Sequence, residues 1–397
     1  MIPPYGASSL KSLYVEDAAL RSSLLEEAQR LPSLLINSST AANVIMLGAG
    51  YFSPLSGFMD KTDALSVAEI LHTRAGLFWP IPILNLVDKD ISIDVGKSIA
   101  LRDPNVKGAP VIAIQDVESV ETLTDSEVEK VLANVFRTVE IQHPGVSTFI
   151  QLGRQVVSGP LRVLSYSYFE NDFPDIFQTA SQIRSQIQEK GWNSIVAFQT
   201  RNPMHRAHEE LCKIAQATLA TDGILIHMLL GRLKPGDIPA KIRQKAIQKM
   251  MDKYFRIDTV MLSGYGFDML YAGPREAVLH AIFRQNAGCT HLIVGRDHAG
   301  VGQYYGPFDA QSIFDEEVPK DALDIQIFPA DHAAYSKKLK RVVMMGDVND
   351  HSNDDFVLLS GTRVRELLEM GKPLPVEFAR PEVSQILMDY YRKRRPG

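Results

Sequence analysis

Beyond residue 169 the chain alternates between two hydrophobic patterns: short, mainly apolar runs, and stretches with apolar residues at helical spacing. The runs at 195–198, 224–230, 259–262 and 291–294 have the length and character of strands covered on both faces. Helical patterns lie between and before them, at 179–190, at 274–285 and after His208, where Leu211, Ile214, Ala215 and Leu219 share a face. Strand and helix in regular alternation predict a parallel α/β domain. The preceding sequence differs in texture. An early helix at 20–31 is followed by β-like runs at 81–87, 99–101, 111–114 and 161–168, separated by turn-rich segments, which predicts a compact, largely β domain with a few helices. After Phe328 the parallel pattern is exhausted. The phrase LSGTRVRELLEMGK, with Thr362 placed to cap a helix bearing Val364, Leu367 and Leu368, marks a smaller C-terminal domain. The tail at 392–395 is basic and complements a helix C-terminus.

The sharpest change of pattern is in IVAFQTRNPMHRAH, residues 195–208. Gln199, Thr200 and Arg201 sit where the chain leaves a strand, Asn202 suits a helix N-cap and Pro203 suits the first helical position. Ligands of open parallel sheets bind at the carboxyl ends of strands, and a helix N-terminus there offers free N–H groups and a positive dipole end. The stretch therefore predicts an anion site. His205 and His208, three positions apart, project from one helix face toward it, and Arg201 and Arg206 add charge. Two other readings stand beside this one: a capped helix with exposed histidines, or a metal site from His205, His208 and Cys212, which lacks a fourth ligand and the HExxH pattern.

The strand at 291–294 ends in GRDHAG, where the same logic repeats. Gly295 and Gly300 permit close backbone approach, Arg296 supplies charge, and the small Ala299 leaves room for a ligand at its amide. The alternative is a buried Arg296–Asp297 pair that only fixes the turn. In GRLKPGDIP, Lys234 can reach a phosphate and Asp237 can fix the loop or approach a metal, unless the segment is simply a solvated turn. Arg102 and Asp103 in the first domain read as a turn ion pair.

Composition narrows the class of ligand. At 397 residues with 45% hydrophobic content the chain can bury a large core and divide into two or three domains. A net charge of −5 gives no global attraction for nucleic acid or an anionic membrane, so a basic site has to be local and its ligand small. Neither a leader pattern nor a bilayer-length apolar span is read, and the two cysteines are too few for a disulfide framework. A cytoplasmic location is expected.

QTRNP followed by an apolar residue and HRAHE is the signature of the ATP sulfurylases (sulfate adenylyltransferases), which this sequence resembles in full at residues 199–209. YFSPLSGFM, WPIPILNLV, ALRDP, AGPREA and the SGT segment also resemble that family, so the resemblance spans nearly the whole chain. It implies an α/β protein with an N-terminal PUA-like β-barrel domain (1–168), a central Rossmann-like parallel α/β nucleotidyltransferase domain (169–327) and a small C-terminal α/β domain (328–397). The implied enzyme is a monofunctional, prokaryotic-type sulfate adenylyltransferase that converts ATP and sulfate to adenylyl sulfate (APS) and pyrophosphate, reversibly. No GxxxxGK[ST] phosphate loop of an APS kinase is present.

By the family's pattern, Gln199, Arg201 and the Ala299 amide hold sulfate, and Thr200, Arg201, Asn202, His205 and His208 form the catalytic set. Those residues with Gln199, Gly295, Arg296, Asp297 and His298 would bind the nucleotide. Mg²⁺ is expected with ATP, and no structural zinc, because RVVMMGDVNDHSNDDF has no cysteine where some relatives carry a zinc knob. Ala330 follows Phe328 and Pro329 where relatives commonly have an aromatic residue on the adenine side. A homo-oligomer, with a dimer favoured, is expected, and neither nucleic acid nor membrane as partner. Another HxGH-type adenylyltransferase acting on an organic phosphate, or a silent oxyanion-binding module, are the competing functions.

Overall fold

The computed structural model describes residues 1–233 and 237–394. In its first part, helices α1 (Ala18–Ala28), α2 (Ser38–Gly48), α3 (Lys61–Ile70), α4 (Asp125–Phe136) and α5 (Pro144–Gln151) surround seven strands. These are β1 (Ser33–Leu35), β2 (Gly57–Phe58), β3 (Leu86–Val87), β4 (Ser98–Arg102), β5 (Val111–Asp116), β6 (Ser119–Thr122) and β7 (Gln155–Val163), in one sheet of path β1-β4-β5-β7-β2. The hub is β7, whose first half pairs with β3 and β6 and whose last three residues pair with β5.

That strand corrects the expected run at 161–168. Gly159 and Pro160 bend the strand instead of ending it: Gly159 has φ 135°, and a Cβ there would meet the Asp116 carbonyl oxygen. Residues 164–168 have left the sheet. The run at 81–87 shrinks to Leu86–Val87, because Pro80 and Pro82 cannot donate to a ladder, although Ile81, Ile83 and Leu84 are buried. Arg102 and Asp103 make no ion pair with each other. The Arg102 guanidinium donates to the Ala109 carbonyl, while Asp103 accepts from the Asn105 amide at 2.8 Å and from the Ser167 hydroxyl.

The central part runs α6 (Phe169–Asp172), α7 (Ala180–Glu189), β8 (Ile195–Thr200), α8 (Arg206–Leu219), β9 (Gly223–Leu229), α9 (Ala240–Tyr254), β10 (Val260–Tyr265), α10 (Pro274–Asn286), β11 (His291–Val294), α11 (Asp309–Glu316) and β12 (Gln326–Pro329). Its five strands are all parallel, in the order β10-β9-β8-β11-β12. The chain winds outward from β8 through β9 to β10, then returns to the other side of β8. A topological switch point therefore lies between the carboxyl ends of β8 and β11.

Helix α10 has no exposed face. It is wedged between this sheet and the first part of the chain, to which Asn286 is tied by bonds to the Tyr51 and Ser53 carbonyls and Arg275 by bonds to the Val67 and Pro80 carbonyls. Aromatic contacts of Phe52 with Trp79, Phe267 and Phe283 continue one core across the boundary.

The last part holds an antiparallel sheet of β13 (Ala333–Ser336), β14 (Arg341–Met344) and β15 (Phe356–Val357), followed by α12 (Gly361–Glu369) and α13 (Pro381–Arg394). Strand β12, the edge of the parallel sheet, lies across the expected junction at 327/328. Ser360, not Thr362, caps α12, accepting from the Arg363 amide at 3.1 Å; the cap has to precede the first helical residue, and here that is Gly361. Helix α13 docks on α9 through Glu382, which accepts from Lys253 at 2.6 Å and Tyr254 at 2.7 Å. Among the described residues no helix is long and apolar enough to cross a membrane.

Candidate active site

Strand β8 runs two residues past its apolar run, to Thr200, and α8 starts later than the Asn202–Pro203 reading placed it. Thr200 and Asn202 first close a turn, with the Thr200 hydroxyl donating to the Asn202 carbonyl at 2.9 Å and accepting from its amide at 3.2 Å. Met204 then plugs the core, and His205, extended at φ −119° and ψ 178°, is the N-cap. The cap falls there because the amide of the next residue, Arg206, finds an acceptor in the Phe378 carbonyl at 3.0 Å, a partner contributed by the C-terminal part.

His205 and His208 consequently meet: their ring centroids are 3.8 Å apart, and the His205 amide donates to His208 Nδ1 at 3.4 Å. The His205 ring also stacks on Phe378. Burial, reinforced by neighbouring histidines, lowers the pKa of both well below the ordinary imidazole value, to about 4 for His208. Both rings are therefore neutral at neutral pH, able to donate a hydrogen bond without carrying charge. Cys212 points into the core and its thiol is pushed up by burial. Among the described residues no group of three or more His, Cys, Asp and Glu could hold a metal ion, so the His205–His208–Cys212 ligand set is not assembled.

At the end of β11, Asp297 and Ala299 adopt left-handed backbone conformations with φ 56° and 55°, unusual for residues with a Cβ. The turn is held by the Asp297 amide on the Pro307 carbonyl, the Gly300 amide on the Asp297 carbonyl, and the Gly273 amide on the Ala299 carbonyl. Arg296 and Asp297 do pair, at 3.6 Å, but both side chains are exposed, so this is not the buried turn pair that sequence allowed.

Arg201 joins the two strand ends. Its Nη2 donates to the Gly300 carbonyl at 3.2 Å, its guanidinium lies 4.9 Å over the Tyr271 ring, and its buried Nη1 has no hydrogen-bond partner among the described residues. Gln199 Nε2 donates to the Tyr265 hydroxyl at 3.4 Å, and His298 Nε2 lies 3.0 Å from His280 Nδ1.

These residues line one cleft of about 400 Å³ at the switch point. It brings together Gln199, Thr200, Arg201, Asn202, His205 and His208 from the first motif with Gly295, Arg296, Asp297, His298 and Ala299 from the second. Three residues that sequence reasoning missed, Asp331, His332 and Ala333, close its far side. The signal was available: β12 is a third parallel strand whose carboxyl end is followed by a polar Asp–His pair. Asp331 is committed locally, accepting from the Gly346 amide at 2.7 Å and the His332 amide at 2.6 Å. Lys234 lies outside the described residues, while Asp237 lines an adjoining cavity of about 300 Å³ that shares His205 and His208. Ala330 is fully buried, with its carbonyl accepting from Gln311.

Comparison with known proteins matches these parts in order. A PUA-like domain model matches residues 2–166, and an ATP-sulfurylase model matches residues 174–390. A sulfate adenylyltransferase of Alcanivorax borkumensis is 64% identical over 100% of this chain and 99% of its own length. One from Allochromatium vinosum is 59% identical over 99% of each chain. In fold, the chain is similar to a solved structure described as a hexameric APS kinase from Thiobacillus denitrificans, with TM-score 0.74 and 23% identity over 98% of this chain and 68% of that one. With two domain models matched in sequence and relatives aligned from end to end, this chain belongs to the ATP-sulfurylase family.

Proposed function

We propose that the chain is a sulfate adenylyltransferase in which sulfate attacks the α-phosphorus of ATP directly and in line, giving adenylyl sulfate and pyrophosphate, reversibly. The observation that carries this reading is Arg201, which spans both strand ends while keeping a buried, unpartnered Nη1 in a cleft rich in donors. Sulfate is fully ionised at neutral pH, so its oxygen needs no general base. It needs a second anion held in line with it.

The cleft suits that task. Among its described lining residues there is no Ser, Cys or Lys, and the one threonine, Thr200, has its hydroxyl tied to the Asn202 backbone. Positioning alone can lower a barrier by about 7–11 kcal/mol. Each preorganised donor adds about 3 kcal/mol where charge develops, so no covalent intermediate is required. In this reading Gln199, Arg201 and the Ala299 amide hold sulfate, Thr200, Arg201 and Asn202 line the reacting centre, and His205 and His208 donate to the phosphates as charge passes to pyrophosphate. Gly295, Arg296, Asp297 and His298 complete the nucleotide pocket.

ATP enters as its magnesium complex. The carboxylates lining the described cleft are Asp297 and Asp331, and Asp331 is already engaged by two amides. This donor set fits an ion held mainly by phosphate oxygens and water, with Asp297, paired only loosely with the exposed Arg296, as the carboxylate that could add to it. We further propose the division into 1–168, 169–327 and 328–397, a homo-oligomer with a dimer favoured, and a cytoplasmic location, which the two unpaired, buried cysteines support. Purified protein should release pyrophosphate from ATP only when sulfate is added, and should form ATP from adenylyl sulfate and pyrophosphate. Failure in both directions would overturn the assignment.

A further inference from the structure

Helix α10 places two titratable side chains one turn apart on the same face, and neither is assigned a role above. Glu276 is held rigidly, accepting from the Leu270 amide at 3.1 Å and the Ala272 amide at 2.9 Å. His280 follows, with Nε2 3.6 Å from Glu276 Oε1 and Nδ1 3.0 Å from Nε2 of His298. Glu276 and His280 are fully buried, whereas His298 reaches the cleft. The three side chains form a row leading from the interior of the molecule to the cleft.

Which nitrogen of His298 carries its proton decides what it can do. With His298 donating from Nε2 to His280, its Nδ1 is left as a lone pair that repels an oxyanion. If His280 donates instead, His298 keeps its proton on Nδ1 and offers it to a phosphate oxygen. The second arrangement leaves His280 Nε2 facing Glu276. His280 Nε2 has no hydrogen-bond partner among the described residues and sits 3.6 Å from Glu276 Oε1, so the two act on each other through charge: the second arrangement is favoured while Glu276 is protonated and disfavoured when an ionised Glu276 draws the only imidazole proton to Nε2.

We propose that Glu276 and His280 are positioning residues that hold His298 with its proton on Nδ1, so that it donates to a phosphate oxygen of the bound nucleotide. This inference rests on the reading that His298 lines the nucleotide pocket. Burial raises Glu276 to about 7 and lowers His298 to about 3, so within the working pH range the pair can change protonation while His298 stays neutral. The charged and titratable groups that face His280 are Arg284, His298, His227, Arg201 and Glu276. Burial holds His227 neutral. The pair's proton is the variable.

The test uses full-length wild type, H280A, H280N, H298A and the H280A/H298A double variant. Sulfate-dependent exchange of labelled pyrophosphate into ATP is followed over roughly pH 6–9. Ring nitrogens of ¹⁵N-histidine-labelled protein are read with ATP bound. H298A should lose about 100-fold in turnover or in KM for ATP. H280A should lose a similar factor, with no further loss in the double variant. H280N, whose side-chain amide can donate where Nδ1–H stood, should recover to within about tenfold of wild type, with a flatter alkaline limb.

In the wild-type ATP complex His298 should be protonated on Nδ1. Normal turnover in H298A would overturn the reading that His298 touches the nucleotide. An impaired H298A beside a normal H280A, or additive losses in the double variant, would overturn the positioning role alone. An unprotonated Nδ1 in wild type would overturn it even if every His280 variant failed to fold.

Discussion

Arg380 grips Glu209 with two parallel hydrogen bonds, Nε to Oε2 at 2.8 Å and Nη2 to Oε1 at 2.7 Å. Glu209 is the fully buried residue directly after His208, and Lys213 reaches the same carboxylate at 2.5 Å. The guanidinium also lies 4.0 Å over Tyr254. The helix carrying both site histidines is thus fastened to the C-terminal part by a bidentate pair, supported by the Arg206 amide on the Phe378 carbonyl. Burial pushes the Glu209 carboxyl up, but the bonds from Arg380 and Lys213 outweigh it and the net shift is downward.

Removing Arg380 leaves that carboxylate buried with half its partners. R380A should lose about 3 kcal/mol of stability, and R380K should recover less than half of it because an ammonium cannot form the fork. Urea denaturation monitored by intrinsic fluorescence checks this. Activity should fall as well, since His205 rests on Phe378, two residues before Arg380.

Arg201 is held by geometry as much as by charge. R201K keeps the charge but loses the planar contact with Tyr271 and the fork able to meet two oxygens at once. Its kcat/KM for sulfate should drop by about 100-fold or more with little change in thermal midpoint. Steady-state kinetics at saturating ATP decides; near-normal turnover would remove Arg201 from the sulfate site.

His205 and His208 should show themselves in acid as well as in turnover. Their folded pKa values lie below the unfolded one, so the unfolded chain takes up protons first as pH falls. The stability they contribute is fully present above the unfolded imidazole pKa of about 6.5 and is lost as pH falls through the folded value, about 4 for His208. Denaturation midpoints across this window should decline for wild type and less steeply for H208Q. At neutral pH the alanine variants of either histidine should stay folded and lose mainly kcat, by about 100-fold each.

Much of this site could be read from the sequence because its parts are local. The strand His291–Val294 was legible to the residue from its apolar run, and the opening of α10 from Gly273–Pro274. The eleven residues expected at two strand ends do line one cleft, since the carboxyl ends at a switch point converge. What sequence could not supply depends on distant partners. The cap of α8 moved from Asn202 to His205 because Phe378 supplies an acceptor, and the Glu209–Arg380 pair joins residues 171 positions apart. Helix α10 shows this most: Arg275, Glu276, His280, Arg284, Gln285 and Asn286 are polar or charged, yet the wedge between the two parts buries them all. Strand β7 was misplaced because a Gly–Pro pair inside a strand has the same local signature as a turn.

The central claim is direct transfer between two anions held at the switch point, and isotope exchange tests it most directly. Labelled pyrophosphate should enter ATP only when sulfate, or an oxyanion that can accept and return the adenylyl group, is present, because pyrophosphate cannot leave before sulfate is in place; the single forward transfer to adenylyl sulfate should invert the α-phosphorus. Exchange supported by ATP, Mg²⁺ and pyrophosphate alone would reveal a covalent adenylyl-enzyme and contradict the direct mechanism, and sulfate that stimulates no exchange at all would contradict the function itself.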